Sequence, residues 1–357
     1  MTYPLVLLVA FLSAGLVVVE STLSETYEVP RFRISDLRSG RRTNDLKHVL
    51  ETTGLLAITF DDDKRTSHEL TTHKVAAFDG LCKCATPGHS NDVPLLSVTG
   101  TDSAMLTDGM TVRTTLATAT VGYTPLPLPA AELSSACNSA DQHFADALEG
   151  LRDAVAEASS AFITAFDGLV SSRTHGVPTQ LLKTSTGASY TSVRDVVGAS
   201  KNLEHMHVYS RDDYTNDFNE ITDDTFNSDA LRLHTDAGLF LSFIPAVPCS
   251  DIEGFGSTDQ SFQITDPIDG KVKVAQFPKD APSIAIMLGI GAEQWLNIDQ
   301  KQNVNVKATR HKVGMKSGDR RAWYGMSKYE STSKVIFRQY YTFTSNSSFL
   351  FIFSYFF

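Results

Sequence analysis

Two side chains that commonly bind metals stand one residue apart in segment 231–236, which reads LRLHTD. Its apolar and polar residues alternate, a pattern typical of a β-strand, in which every second side chain projects from the same face. We therefore expect the two leucines to face a core while His234 and Asp236 project together from the opposite face. A His-x-Asp tripeptide is weak evidence by itself, because it often arises by chance as a solvated surface pair.

A third side chain of this kind, His311, lies in segment 308–313, which reads ATRHKV and could form a second strand beside the first. Two imidazoles and one carboxylate on one side of an iron ion make a facial triad, which leaves coordination positions open for dioxygen and a co-substrate. His234, Asp236 and His311 are therefore candidate iron(II) ligands and catalytic residues.

The first half of the chain is predicted to mix helices and strands. Segment 27–37 indicates an edge strand that contains a proline, and a Gly-Arg-Arg turn follows it. Leu46, Val49 and Leu50 are spaced for the apolar face of a short helix, and Gly54 then opens the buried-looking strand LLAITF.

The clearest helix is predicted between Asp141 and Val170. Its apolar side chains recur every three or four residues and form one stripe: Phe144, Leu148, Leu151, Val155, Ala158, Phe162 and Phe166. We interpret this stripe as core packing rather than as a cofactor site, because periodicity alone favours packing.

After Leu203 the chain changes to short apolar runs separated by Asp-Gly, Pro and Asn, the pattern of a β-rich region with hairpins. We predict hairpin turns at 268–271 and at 317–319. The predicted organisation is a helical and mixed region at 23–200, followed by a β-rich region at 201–326.

The composition excludes several classes of protein. With 42% hydrophobic and 20% charged residues, the body of the chain is expected to be soluble. A net charge of −10 without a long Lys/Arg run argues against a nucleic-acid partner.

Four cysteines are too few for a disulfide-built scaffold, although one bridge could form. Cys82 and Cys84 with His89 could form a metal clip, but their spacing favours ordinary thiols.

The N-terminal apolar run at 4–19 is short for a membrane span, and a polar segment follows it. Residues 1–22 therefore read as a signal peptide, and we expect the protein to be secreted or in the secretory pathway. Since the run is preceded by no Lys or Arg, a signal anchor or a misplaced start codon stays open. If the chain does not enter the secretory pathway, we expect it to be cytoplasmic.

Four motifs follow one another in the second half of the chain: HTDAGLFL at 234–241, FQITDP with DGK at 262–271, AIMLG at 285–289 with Trp295 and Asn297, and KATRHKV at 307–313. In this order they resemble the isopenicillin N synthase-like group of 2-oxoglutarate and iron(II)-dependent oxygenases. The resemblance extends from about Leu231 to Tyr324 and is faint before it. One departure is Ile290, where the family commonly has an aspartate at a structural position.

The resemblance implies an arginine about ten residues after the distal histidine, where it would bind the second carboxylate of 2-oxoglutarate. Arg320 and Arg321 stand there, and we favour Arg321, although both could be surface charges. The family's Arg-x-Ser becomes Arg-Ala-Trp or Arg-Arg-Ala, so the serine contact is lost. Tyr209 loosely matches a family tyrosine that reaches the co-substrate, and it could equally be a core or surface residue.

His205 and His207 alternate onto one face of the same predicted strand as Tyr209. We exclude both from the ligand set, because further imidazoles would close the positions that dioxygen needs.

The fold that the resemblance implies mixes α and β structure, with a double-stranded β-helix (jelly roll) core and flanking N-terminal helices. The implied activity couples decarboxylation of 2-oxoglutarate, with Fe(II) as metal, to hydroxylation or desaturation of a small organic substrate by dioxygen. Two alternatives stay open: a secreted, non-catalytic jelly-roll binding protein, and an iron oxidase that does not use 2-oxoglutarate. We expect a monomer.

The chain is expected to end in an atypical hydrophobic tail at 327–357, whose Phe-rich part, 342–357, has neither helical nor strand periodicity. It could be a hydrophobic tail docked on the body, a membrane-associating tail, or the product of a faulty gene model. We favour the last, because the resemblance stops near Met326. Membrane contact is expected only if this tail or the N-terminal apolar run is retained.

Overall fold

The computed structural model describes residues 25–328 except 61–63, 85–100, 107, 109, 122–123, 126–141, 171–172, 175–176, 179–180, 184–188, 212–228, 253–260 and 297–303. The predicted signal peptide lies outside the described residues, and so does the predicted tail apart from its first two residues, which end the last strand. His89, one member of the hypothetical metal clip, also lies outside them.

The N-terminal elements are short: β1 (Thr26–Glu28), β2 (Arg31–Arg33), α1 (Ile34–Ser39), α2 (Thr43–Thr52) and β3 (Leu55–Thr59). The prediction of one strand at 27–37 is wrong, because the chain changes partner at Pro30. β1 pairs with a strand of one sheet, β2 pairs with β3 in another, and Ile34 already begins a helix. A proline cannot donate to a ladder, so it suits this break.

Two long helices follow, with strands between them: α3 (Lys64–Cys84), β4 (Thr101–Met105), β5 (Thr111–Val121), β6 (Thr124–Pro125) and α4 (Gln142–Val170). The helix predicted between Asp141 and Val170 is confirmed by α4. Its apolar stripe is buried in the main core, against α3 and the large sheet.

The remaining elements are β7 (Arg173–Thr174), β8 (Val177–Pro178), β9 (Leu182–Lys183), β10 (Ser189–Tyr190), α5 (Val193–Ala199), β11 (Lys201–Arg211), β12 (Asp229–His234), β13 (Phe240–Pro248), β14 (Phe262–Thr265), β15 (Val272–Gln276), β16 (Ser283–Leu288), α6 (Ile290–Leu296), β17 (His311–Gly314) and β18 (Arg320–Lys328).

Two sheets form the body of the molecule. The large sheet has the order β2-β3-β16-β13-β18-β11-β5-β4, with β6 beside β5, and the small sheet has the order β1-β15-β14-β17-β12. All pairs are antiparallel except β1 with β15 and β2 with β3. The inner faces of the two sheets line one cavity, so the predicted double-stranded β-helix core with N-terminal helices is confirmed. Strands from both sides of residue 200 contribute to the large sheet.

The helices cover the outer face of the large sheet. Alternate residues of β18, among them Tyr324 and Met326, point into the core with α3 and α4. The other alternate residues of β18, such as Arg321 and Trp323, point into the cavity. This alternation follows from the pleat of a strand. Among the described residues, no helix is long and apolar enough to cross a membrane.

The two predicted turns have different outcomes. Residues 266–271 form the predicted hairpin turn between β14 and β15, with Gly270 at φ 72°. Gly318 also has φ 72°, in the left-handed region that glycine tolerates. The turn at 317–319 nevertheless joins β17 of the small sheet to β18 of the large one, so the prediction of a hairpin there is wrong.

Cys82 and Cys249 form a disulfide bond between α3 and the turn after β13. The described residues thus contain a disulfide bridge, which the cysteine count had left possible. Both interpretations of Cys82 as a thiol, in a metal clip or in an ordinary loop, are therefore wrong. Sequence spacing could not identify its partner, because the two cysteines are 167 residues apart.

Candidate metal centre and cavity

The first two candidate ligands lie at the end of β12, where the strand leaves the small sheet. His234 is its last residue, and Asp236 lies in the loop to β13. The pairing with β17 shifts register on either side of Leu231. Leu231 consequently lines the same cavity as His234 and Asp236, so the prediction that both leucines of this segment face away from the ligands is wrong.

The third candidate ligand opens β17. His311 is directly opposite His234 in the register of the two strands, and their ring centroids are 4.3 Å apart. The Oδ1 atom of Asp236 is 3.5 Å from His234 Nε2 and 3.8 Å from His311 Nε2. One ligand atom from each residue lies within 4.8 Å of the others. The structure therefore brings the three predicted ligands together.

Backbone carbonyls determine which nitrogen of each histidine can bind a metal. His234 Nδ1 is 2.6 Å from the carbonyl oxygen of Arg232, and His311 Nδ1 is 3.2 Å from that of Thr309. A carbonyl can only accept a hydrogen bond, so each Nδ1 carries a proton, and in the neutral imidazole each Nε2 then has the lone pair that a metal ion needs. The two Nε2 atoms are the ones nearest Asp236.

The loop between β12 and β13 is packed closely against Gly289. A Cβ atom at Gly289 would lie 2.6 Å from the carbonyl oxygen of Gly238 and 2.9 Å from that of Asp236. The next amide, of Ile290, donates to the Asp236 carbonyl at 2.8 Å. This approach explains the glycine of the AIMLG motif, and it shows that position 290 supports the loop through its backbone.

The burial of the three side chains and their closeness to one another shift the pKa values of all three. Burial raises the pKa of Asp236, but the hydrogen bond with His234 and the neighbouring imidazoles outweigh it and hold that pKa below its usual value. The same hydrogen bond raises the pKa of His234, and burial lowers the pKa of His311. An ionised carboxylate between imidazoles is the protonation pattern that a metal site requires.

These residues fit iron(II). Three ligands on one face of an octahedral ion would lie about 3 Å apart, somewhat closer than the atoms lie here, so a modest contraction would close the site around an ion. The donor set of two imidazoles and one carboxylate is that of iron oxygenases with open coordination positions. His311 stacks on Phe262, with centroids 5.4 Å apart, which fixes the buried side of the triad.

The cavity beside the triad has a volume of about 240 Å³. Its wall on the large sheet contains two rows of side chains that run across β5, β11 and β18. One row, which we call the arginine row, is Arg113, Tyr209 and Arg321. The next, which we call the tryptophan row, is Thr115, His207 and Trp323.

The structure separates the two candidate arginines. Arg321 is buried and lines the cavity, where its Nη2 donates to Asp319 Oδ2 at 3.0 Å. Burial lowers its pKa to about 10, so the guanidinium stays charged at neutral pH. Arg320 points to the opposite face of β18, where its Nη2 donates to the carbonyl of Cys82 at 2.6 Å. A co-substrate in the cavity could therefore reach Arg321 and not Arg320.

Tyr209 lies in the cavity wall between the arginines. Burial is the main cause that raises its pKa to about 12, against the opposing effect of the Arg113 guanidinium, so its hydroxyl is neutral. Sequence reasoning missed Arg113, since the Thr-rich strand TVRTTLATATV contains no recognisable motif. Only its pairing with β11 reveals its position.

His205 and His207 also line the cavity but are not part of the metal cluster. His207 Nδ1 is 2.9 Å from the hydroxyl of Thr115, and its ring stacks on Trp323 with centroids 5.0 Å apart. Burial lowers the pKa of His205 to about 4, so its imidazole is neutral. Both side chains belong to the wall opposite the triad.

No protein-family model matches the sequence, and no curated protein matches it. Solved structures do. Dioxygenase for auxin oxidation 1 from Arabidopsis thaliana, in a binary complex with 2-oxoglutarate, superposes with a TM-score of 0.52 at 12% identity, over 85% of this chain and 93% of that one. JOX2 in complex with 2OG, Fe and JA gives a TM-score of 0.53 at 10% identity, over 87% of this chain and 77% of that one.

The chain has the fold of the 2-oxoglutarate and iron(II)-dependent oxygenases. At such low identities the likeness establishes the oxygenase fold. The chemistry has to be argued from the side chains of this chain. In the oxygenase fold of this chain, the candidate triad belongs to the small sheet and the loop after it. The charged and aromatic wall belongs to the large sheet.

Proposed function

We propose that the protein is a non-haem iron(II) oxygenase that couples decarboxylation of 2-oxoglutarate to hydroxylation or desaturation of a small organic substrate. The observation that carries this proposal is the convergence of His234, Asp236 and His311 beside a cavity between the two sheets. The structurally similar proteins support it, because one was solved with 2-oxoglutarate and the other with 2OG and Fe.

Each residue of the triad has a distinct task. The Nε2 atoms of His234 and His311 and a carboxylate oxygen of Asp236 would hold the iron ion, and the backbone carbonyls behind the imidazoles keep those rings in the required tautomer. Iron and 2-oxoglutarate, when bound, would supply the activation of dioxygen. Three protein ligands leave room for both on the cavity side.

The apolar part of the cavity would exclude water and orient the substrate. Phe243, Phe262 and Phe277 lie with ring centroids 5.7 to 6.0 Å from one another. Leu241 and Met287 extend this surface along β13 and β16. A lining of this kind favours a small, largely apolar substrate whose C–H bond is held close to the metal.

One observation favours a second candidate, an iron oxidase that does not consume 2-oxoglutarate. Trp323 occupies the position two residues after Arg321, where the family has serine, and its indole fills part of the cavity. Arg321 is in addition ion-paired with Asp319. Both features change the site at which the resemblance implies that the distal carboxylate of 2-oxoglutarate binds.

The test measures succinate release and oxygen uptake with added iron(II) and 2-oxoglutarate, together with iron(II) affinity by anaerobic titration. The wild type should release succinate, and Asp236→Ala should abolish release and weaken iron binding by at least about 100-fold, since loss of an outer-shell partner alone costs 10–100-fold. Asp229→Asn, at the start of β12 and paired with Lys312, serves as the matched control and should bind iron normally.

The outcomes separate the candidates. Oxygen uptake without succinate would support the iron oxidase. A folded wild type that binds no iron and shows neither activity would contradict both and favour the non-catalytic binding protein.

We also propose that the protein acts in an oxidising compartment, as the predicted signal peptide suggests. The disulfide between Cys82 and Cys249 supports this, because such bonds persist mainly in secreted and extracytoplasmic proteins. Detection of the chain in the culture medium of an expressing cell, rather than in the cytosol, tests the proposal.

A further inference from the structure

Arg320 lies outside the cavity, yet it contacts both halves of the Cys82–Cys249 disulfide bond. Its Nη2 atom donates to the carbonyl oxygen of Cys82 at 2.6 Å. Its own carbonyl oxygen accepts a hydrogen bond from the amide of Cys249 at 2.8 Å. The end of α3, the end of β13 and the start of β18 therefore meet at this one residue, and the disulfide bond joins the first two of them covalently.

The start of β18 is held differently along its two edges. On one edge it pairs with β11 without interruption. On the other edge the pairing with β13 shifts register between Ile244 and Val247. Beyond this irregularity Arg321 pairs with Pro248, the last residue of β13. Cys249 comes next, so the disulfide bond fastens this short piece of ladder to α3.

The attachment of Arg320 affects Arg321 because the two residues are adjacent in one strand. Successive side chains of a strand point to opposite faces, so the contact that holds Arg320 against α3 also sets the direction in which Arg321 enters the cavity. A guanidinium binds a carboxylate through two parallel hydrogen bonds, which require alignment. Such a site has to be held to within about 0.5 Å by contacts behind the residue that touches the ligand.

We propose that Arg320 and the disulfide bond form a clamp that positions Arg321 to bind the distal carboxylate of 2-oxoglutarate. This role rests on the proposed function, in which Arg321 is the cavity arginine that the family resemblance implies for that carboxylate. Arg320 is a positioning residue, since it acts through its neighbour. A dithiol reductant converts the disulfide bond into two thiols and itself becomes a cyclic disulfide. Reduction should therefore open the clamp and weaken co-substrate binding, while the candidate iron ligands stay in place.

The test titrates two 2-oxo acids into the iron(II)-loaded protein under argon, by calorimetry. 2-Oxoglutarate carries the distal carboxylate, whereas 2-oxopentanoate has the same chain length and metal-binding end but a methyl group instead. Replacing both cysteines by serine should weaken 2-oxoglutarate binding about three- to tenfold, the range for one hydrogen bond, and change 2-oxopentanoate binding by less than about twofold. Wild type reduced with dithiothreitol, which is removed before iron is added, should behave in the same way.

Three further variants separate positioning from general loosening of the fold. Arg320→Met leaves the disulfide bond intact and should also weaken only 2-oxoglutarate. In an Arg321→Met background, loss of the disulfide bond should change 2-oxoglutarate affinity by less than about twofold, because the clamp then has no guanidinium to position. Arg41→Met, which replaces an exposed arginine in the turn between α1 and α2, is the matched control and should change neither affinity.

The clamp is ruled out if the double serine variant binds 2-oxoglutarate like the wild type, if it weakens both acids equally, or if its effect persists in the Arg321→Met background. A wild type that binds iron(II) but does not prefer 2-oxoglutarate to 2-oxopentanoate would instead show that the proposed co-substrate is wrong, and the role of the clamp would be lost with it. Circular dichroism checks the folding of each variant. If the double serine variant does not fold, Arg320→Met and the wild type before and after reduction decide the question.

Discussion

Trp323 shows how a single residue changes the character of the cavity. Its ring stacks on His207 at an interplanar angle of 13°, and it lies 6.0 Å from Phe243. Gly325, two residues further along the same face of β18, provides the space, because a Cβ atom there would overlap the indole. A large aromatic residue and a glycine thus form one packing unit.

Gly325→Ala is therefore expected to displace the Trp323 ring from His207 and to lower the free energy of unfolding by about 1–3 kcal/mol, the usual cost of overpacking. Tryptophan fluorescence in a Trp295→Phe background reports the ring, and urea unfolding reports the stability. Gly314→Ala is the matched control, since its Cβ would meet nothing closer than 3.7 Å. Equal fluorescence and equal midpoints for the two alanine variants would contradict this packing.

At the residue scale, the sequence identifies site residues that belong to a motif and misses those that only strand pairing brings to the site. His234, Asp236 and His311 are recognisable from residue type and from the order of motifs. Arg113 is not, because its place in the cavity wall follows from its pairing with Tyr209 in the large sheet. The choice between Arg320 and Arg321 likewise needed the pleat of β18, which sends one side chain to the helices and the other to the cavity.

At the scale of elements, helix α4 is held to strand β11 by a buried ion pair. Arg152 Nε and Nη2 donate to the two carboxylate oxygens of Glu204 at 2.7 and 2.8 Å, and both side chains are fully buried. The hydroxyl of Tyr324, from β18, also donates to Glu204 at 2.8 Å. A long apolar stripe predicted the helix, but it did not reveal this polar connection beneath it.

Arg152→Met should lower the free energy of unfolding by about 3–5 kcal/mol, because it leaves the carboxylate of Glu204 buried without its guanidinium. The double variant Arg152→Met/Glu204→Met should recover part of the loss, which urea unfolding can measure. Arg38→Met removes an exposed ion pair with Glu157 on the same helix and should cost less than about 1 kcal/mol. If Arg152→Met costs no more than this control, the buried pair does not stabilise the helix on the sheet.

Strand boundaries show the limits of reading elements from periodicity. The alternation of LRLHTD predicts a regular strand, but the register shifts beside Leu231 turn that residue into the cavity. Segment 27–37 likewise reads as one strand, yet Pro30 separates pairings in two different sheets. Both outcomes depend on partners that are distant in the sequence.

At the scale of the whole molecule, chain crossings between the sheets build the cavity. The turn at 317–319 takes the chain from β17, which carries His311, to β18, which carries Arg321. A local turn signal cannot distinguish such a crossing from a hairpin, because the same glycine conformation serves both. The jelly-roll topology was implied by the family resemblance that the four motifs carry, and composition alone would not have given it.

The Cys82–Cys249 disulfide stabilises this architecture, because it joins two residues 167 positions apart and links α3 to the end of β13. Replacing both cysteines by serine should lower the free energy of unfolding by about 2–5 kcal/mol, since the bond restricts the unfolded chain. Urea unfolding without reductant measures the difference. Dithiothreitol should reproduce the loss in the wild type and leave the double variant unchanged, whereas equal stability of the two proteins under oxidising conditions would show that the bond is absent or without effect.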